Sequence, residues 1–151
     1  MTVKQVTDNS QKNQICFDIL TALPDWFAIP ETINEYTEKS TDKIFFAAFD
    51  EEKPIGFLYL KETGSATAEL AVMGVLQEHH RKGIGRKLFE AAKQAAAEKY
   101  SFLQVKTVKM GMYPDYDDTN KFYLSLGFKE FEVIPQVWDE ANPCQIYVMA
   151  L

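Results

Sequence analysis

Hydrophobic and polar positions along this chain alternate with two different periods, and the changes of period delimit its elements. After a short opening strand, "TVKQVT", the segment "QKNQICFDILTALPDWF" places apolar residues at Ile15, Phe17, Ile19, Leu20 and Leu23, a helical rhythm that Pro24 closes. "IPETINEYTEKSTD" predicts a second, shorter helix with Pro30 near its start. The rhythm then switches. "KIFFAAFD" and "PIGFLYLK" predict two strands joined by a polar hairpin turn, "DEEK", and "AELAVMGVL" a third. Residues 83–100, "GIGRKLFEAAKQAAAEKY", give the strongest helix, with Leu88, Phe89, Ala92, Ala95 and Ala96 at helical spacing on an Ala/Lys/Glu-rich background. "FLQVKTVKM" follows as a strand, then "YDDTNKFYLSLG" as a helix ending at Gly127, then closing strands at "FKEFEVI" and "CQIYVMAL". This order predicts an α/β chain with a mixed sheet, in which an antiparallel meander leads into a strand–helix–strand crossover.

Length and charge narrow the picture. The 151 residues fit one domain, 1–151, large enough to bury a core. No stretch reaches the eighteen or so apolar residues of a membrane span, and the opening "MTVKQVTDNSQKNQ" lacks the apolar region of a secretory signal, so the expected location is cytoplasmic. With 16 basic against 22 acidic residues the net charge is −6, a poor basis for binding nucleic acid. The basic cluster Arg81, Lys82, Arg86 and Lys87 stands out against that background. Cys16 and Cys144 lie far apart without metal or redox spacing and read as free thiols.

The cluster sits in "HHRKGIGRKLF", between a strand and the strongest helix. A metal site needs three or four convergent ligands, and His79 and His80 are the only histidines, so no metal is expected. A dinucleotide turn needs a third glycine after Gly83-Ile84-Gly85, where Leu88 stands, and the lysine loop of nucleotide triphosphatases is missing too. What remains is a glycine turn feeding a helix N-terminus. There, unpartnered backbone N–H groups and the helix dipole favour an anion such as a diphosphate.

Taken whole, "VMGVLQEHHRKGIGRKLFEAA" closely resembles the acetyl-CoA-binding segment of the GCN5-related N-acetyltransferase (GNAT) superfamily, and "NKFYLSLGF" resembles its second signature. The separation of the two segments and the order of elements agree with that family over most of the chain. The resemblance implies a sheet of about seven strands with four helices, its central strands splayed at the acyl-CoA site. It implies that backbone N–H groups of Arg81, Lys82, Gly83, Ile84, Gly85 and Arg86 hold the CoA diphosphate, and that Met73, Gly74 and Val75 pair with the pantetheine arm. It implies transfer of an acetyl group to a primary amine by direct attack, with Tyr123 as the acid that protonates the leaving thiolate. The general base is less defined. Glu69 is the only carboxylate on the central strand and is expected on one face with Ala71, Met73 and Val75. Two departures stand out: His80 holds the turn's usual Gln/Arg position, and Tyr116 stands where many relatives carry Asn.

In the family the N-terminal helices and the last two strands shape the acceptor site. Here they contain Trp26 and Phe27 in "LPDWFAIPETINEY" and Trp138 in "VIPQVWDEANPCQ", with Asp25, Asp139 and Glu140 alongside. Aromatic walls with carboxylates suit a small-molecule or peptide amine. The resemblance also admits a homodimer, and a non-catalytic acyl-CoA-binding module on the same fold.

Overall fold

The computed structural model describes residues 1–151. Its elements run β1 (Thr2–Val6), α1 (Asn9–Thr21), α2 (Pro30–Lys39), β2 (Ile44–Asp50), β3 (Lys53–Gly64), β4 (Thr67–Val75), a 3₁₀ turn (Gln77–His79), α3 (Ile84–Ala97), β5 (Phe102–Val108), α4 (Pro114–Leu126), β6 (Lys129–Asp139) and β7 (Asn142–Ala150). They build one seven-stranded sheet in the order β1-β2-β3-β4-β5-β7-β6, antiparallel except where β4 meets β5. No helix is long and apolar enough to cross a membrane.

Local chemistry explains most boundaries. Asp8 caps α1 by accepting from the Gln11 amide at 2.8 Å. Proline opens α2 and α4, and Gly127, at φ 105°, ends α4 in the left-handed region. The buried face of α3 is Ile84, Leu88, Phe89, Ala92 and Ala96, as its spacing predicts, with Ala95 at the margin. On α1 the expected Phe17 is 41% exposed and Cys16 takes the core position beside Ile15, Ile19 and Leu20. A one-residue offset on a helix turns a side chain about 100°, so Phe17 falls off the face that Cys16 shares with Ile19 and Leu20. β6 continues five residues past the expected Ile134 end, through Pro135 to Asp139. Pro135 is tolerated because β6 is an edge strand, and its pairing with β7 is interrupted between Ile134 and Asp139.

The sheet separates two helical layers. On β3, Gly56 lies under Leu88 of α3, whereas Tyr59 donates its hydroxyl to the Tyr36 carbonyl of α2 at 2.8 Å. Odd and even positions of β3 therefore face opposite layers. Arg86 of α3 donates to Ser125 of α4 at 3.1 Å, which puts α4 in the α3 layer.

Two irregularities of β4 shape the site. β3 steps one residue from Tyr59 to Leu60 while β4 steps two, from Val72 to Leu70, so Ala71 is a bulge. The bulge reverses the alternation and corrects the expected face of Glu69. Met73 and Val75 point toward α3, but Glu69 shares the α1/α2 side with Val72 and Gly74. The second irregularity is that β4 pairs with β5 only over Thr67, Ala68 and Glu69, leaving β4 unpaired on its β5 side from Leu70 to Val75.

Candidate active site

The unpaired stretch of β4 leads straight into the glycine turn. Leu76 donates its amide to Ile55 of β3 at 2.9 Å, so alternation directs the backbone groups of Gly74 toward β3 and those of Met73 and Val75 into the gap. Gly74 answers a packing need on the other side. A Cβ there would meet Ile19 Cγ2 at 3.2 Å, Phe57 Cε1 at 3.3 Å and Leu23 Cδ1 at 3.4 Å.

The turn itself is bent by two left-handed residues, Arg81 (φ 64°) and Gly83 (φ 78°). Such a conformation costs a non-glycine residue about 1 kcal/mol or more, so Arg81 is strained. Gly83 is the N-cap of α3 and no side chain caps it. The first amide with a helical partner is Lys87, bonded to the Gly83 carbonyl at 3.1 Å. The N–H groups of Ile84, Gly85 and Arg86 precede it, uncapped, in the first turn of the helix. Nothing lies within 4 Å of a Cβ built on Gly83, so the space above the turn is open. Gly85 differs: its Cβ would meet Met73 Cε at 2.8 Å and Phe122 Cζ at 3.1 Å, so this glycine lets α3 sit close to β4 and α4. The Arg86 guanidinium is drawn aside to Ser125, while Lys82, Lys87 and His79 line a shallow depression with Asp50 and Ile55. Together these features can hold an anion at the end of a strand whose backbone is free to pair with an extended arm.

His80 makes contacts that no local motif signals. Its Nε2 donates to the Val75 carbonyl at 2.6 Å, and the ring meets Trp26 edge-on, centroids 5.4 Å apart. The imidazole thus ties the turn to the end of β4 and to the α1–α2 loop.

Tyr123 stands on α4 against Phe122, Phe128 and Tyr147, with ring centroids 5.9, 6.0 and 6.2 Å away. Burial, reinforced by the negative charge of Glu69, pushes its phenol from about 10 up to about 12. The helix that carries it is pinned by Asn120, wholly buried. Asn120 Nδ2 donates to the carbonyls of Val108 (2.8 Å) and Tyr116 (2.6 Å), and its Oδ1 accepts from the Tyr147 hydroxyl.

Glu69 is 8% exposed and bonds Lys106 of β5, with Oε1 and Nζ 2.8 Å apart. Glu69 is on the last paired rung before the strands part, opposite Gln104, and Lys106 lies two residues beyond on the same side, the one not covered by α3 and α4. Of the aromatic residues expected around an acceptor, Trp26 is 44% exposed beside His80, Phe27 packs against Tyr36, and Trp138 is 48% exposed on edge strand β6. No contact joins Trp138 to Trp26. Tyr36 of α2, which meets Phe27 edge-on, has its phenol raised mainly by burial and also by Glu35, and at the start of α4 Tyr113 meets Tyr116 edge-on at 5.9 Å. The Tyr113 hydroxyl donates to the Ala141 carbonyl at the β6–β7 turn, 3.1 Å away.

Known proteins share this architecture. The family described as acetyltransferase (GNAT) domain matches residues 41–130, a span that includes the bulge, the turn and Tyr123. No curated protein matches the chain. A GNAT-family protein from Desulfovibrio desulfuricans superposes with a TM-score of 0.86 at 16% identity, covering 99% of this chain and 98% of its own. The aminoglycoside 6'-N-acetyltransferase from Enterococcus faecium does so at 0.79 and 18%, over 99% and 97%. A GNAT family acetyltransferase from Elizabethkingia anophelis with acetyl-CoA bound gives 0.69 and 18%, again over 99% and 97%. At these identities the solved structures speak for the fold, and the family match, covering more than half of the sequence, speaks for the lineage: the chain belongs to the GNAT acetyltransferase family.

Proposed function

We propose that this protein transfers an acetyl group from acetyl-CoA to a primary amine of a small molecule or peptide. The reading rests above all on the uncapped N-terminus of α3 opening onto the unpaired end of β4. The N–H groups of Arg81, Lys82, Gly83, Ile84, Gly85 and Arg86 bind the diphosphate, and the gap-facing groups of Met73 with the N–H of Val75, whose carbonyl is held by His80, pair with the pantetheine arm as an added strand would. Gly74 supports that edge by letting α1 pack beneath it.

The amine enters from the α1/α2 side, where Trp26, Phe27 and the tyrosines line the approach and Trp138 stands at the rim. Its ammonium gives a proton to Glu69, and the neutral nitrogen attacks the thioester carbon. As the tetrahedral intermediate collapses, the C–N bond stays and the C–S bond breaks. Tyr123 protonates the departing thiolate and is restored by the second N–H proton, while Glu69 passes the first proton to solvent. One proton is released per turnover. A phenol near 12 keeps its proton across neutral and mildly alkaline pH, as a donor requires.

The test is a melting experiment followed by turnover. Acetyl-CoA at a hundred times its Kd adds about 2.7 kcal/mol, which raises Tm by roughly 5–10 °C for a chain of this size. NAD and ATP are expected to leave Tm unchanged. Tyr123→Phe lowers kcat by roughly 10- to 1000-fold. In the wild type, kcat shows no fall attributable to Tyr123 below pH 10. Stabilisation by NAD or ATP alone would overturn the reading. Stabilisation by acetyl-CoA without thiol release from any amine would make the protein a binding module.

A further inference from the structure

The ion pair between Glu69 and Lys106 bears on which amines the site accepts. The bulge at Ala71 swings Glu69 to the α1/α2 side, and parallel pairing with Gln104 puts Lys106, two residues on, on that same side. Glu69 is 8% exposed and the Lys106 side chain 31%, so the lysine is the accessible partner and the carboxylate the deeper one. α1 packs against β1, β3 and β4, and beside it the Lys106 side chain keeps 31% of its surface exposed.

From this arrangement we infer that the acceptor carries a carboxylate next to its amine, as an α-amino acid does, and that Lys106 is the residue that selects it. The inference rests on the acetyl-transfer reading above. A bare ammonium that takes Glu69 deprives Lys106 of its partner and sits within a few ångströms of a like charge. An amino acid exchanges partners without loss: its ammonium replaces Nζ at Glu69, and its carboxylate replaces Glu69 at Nζ. Four charges then alternate around the opening of the splay, and the amine lies where the thioester carbon must be met. The side chain of the amino acid points out toward the Tyr113–Tyr116 pair, which suits apolar and aromatic side chains. Polyamines and aminoglycosides bring further positive charges toward Lys106 and are disfavoured for the same reason.

Thiol release with acetyl-CoA tests this on matched pairs, the α-amino acids against their decarboxylated amines, phenylalanine against phenethylamine among them. The wild type is expected to use the best amino acid with kcat/KM on the order of 10- to 100-fold above its amine, the value of one charge-assisted hydrogen bond. In Lys106→Gln the ratio of amino acid to amine kcat/KM falls by that factor, whatever the change in each alone. Lys106→Arg retains most of the preference. A wild type that uses the amines equally well, or a Lys106→Gln that lowers both members of a pair equally at unchanged Tm, would overturn the inference. So would a protein that acetyl-CoA stabilises but no amino acid makes active. Loss of acetyl-CoA stabilisation itself would instead bring down the acetyl-transfer reading and this inference with it.

Discussion

Asn120 decides where Tyr123 stands. It is the one buried amide that reaches three elements, holding α4 to the end of β5 through Val108 and to β7 through Tyr147. Three residues further along the same helix is Tyr123, so a loosened Asn120 moves the phenol. Removing the amide leaves the Val108 carbonyl and the Tyr147 hydroxyl buried without partners, the costly half of a broken hydrogen bond. Asn120→Ala is therefore expected to destabilise the protein by about 2–4 kcal/mol and to lower Tm by roughly 5–15 °C in calorimetry. An unchanged Tm would mean that water or a shifted helix satisfies both groups. The resemblance places the family's Asn where Tyr116 stands, and helical periodicity puts Asn120 on a different face, so the sequence assigns Asn120 no role. Its role depends on β5 and β7, which lie elsewhere in the sequence.

At the scale of elements, β4 and the turn after it work as one unit. The Ala71 bulge turns Glu69 to one side of the sheet while the gap frees Met73 and Val75, and the turn continues the same edge into α3. His80 holds this corner, since its bond to Val75 and its contact with Trp26 fix the turn against both the strand and the α1–α2 loop. Losing one hydrogen bond and one aromatic contact costs on the order of 1–3 kcal/mol where both are made. His80→Ala is expected to raise the KM for acetyl-CoA roughly tenfold with kcat changed much less. His80→Gln, which can still donate to Val75, recovers part of that loss. Equal falls in kcat for the two variants at normal KM would show that His80 serves the chemical step and not the turn.

Across the whole molecule, charge and reactivity are kept apart. A chain of net charge −6 gathers Arg81, Lys82, Arg86 and Lys87 at one turn, which concentrates positive charge at a single place on an otherwise acidic surface and suits the polyanionic donor of the proposed reaction. The two cysteines are both wholly buried. Burial pushes the Cys16 thiol up to about 12, against a weaker lowering by the nearby Thr37 hydroxyl, and raises Cys144 as well, with Lys106 opposing and Glu69 adding to the shift. A raised thiol stays protonated and unreactive at pH 8. Native protein is thus expected to show no fast-reacting thiol toward an aromatic disulfide reagent at pH 8, and two after denaturation. A fast native thiol would show that one of these pockets opens.

The order of elements, the buried face of α3, the glycine turn and the family are all legible in the amino-acid sequence, because each rests on local periodicity or on residues a few positions apart. Tyr123 is legible too, since its neighbours Gly127 and Phe128 belong to the same signature. The fate of Phe17 and the end of β6 are not, because they depend on which helix face meets the sheet and on which strand is an edge. The side of the sheet that Glu69 occupies, its partner Lys106, and the clip formed by His80 and Trp26 arise only when the chain folds. The reason is physical: a single bulged residue inverts a period-2 pattern, and ion pairs between β4 and β5 form only once α3 has carried the chain back to lie parallel.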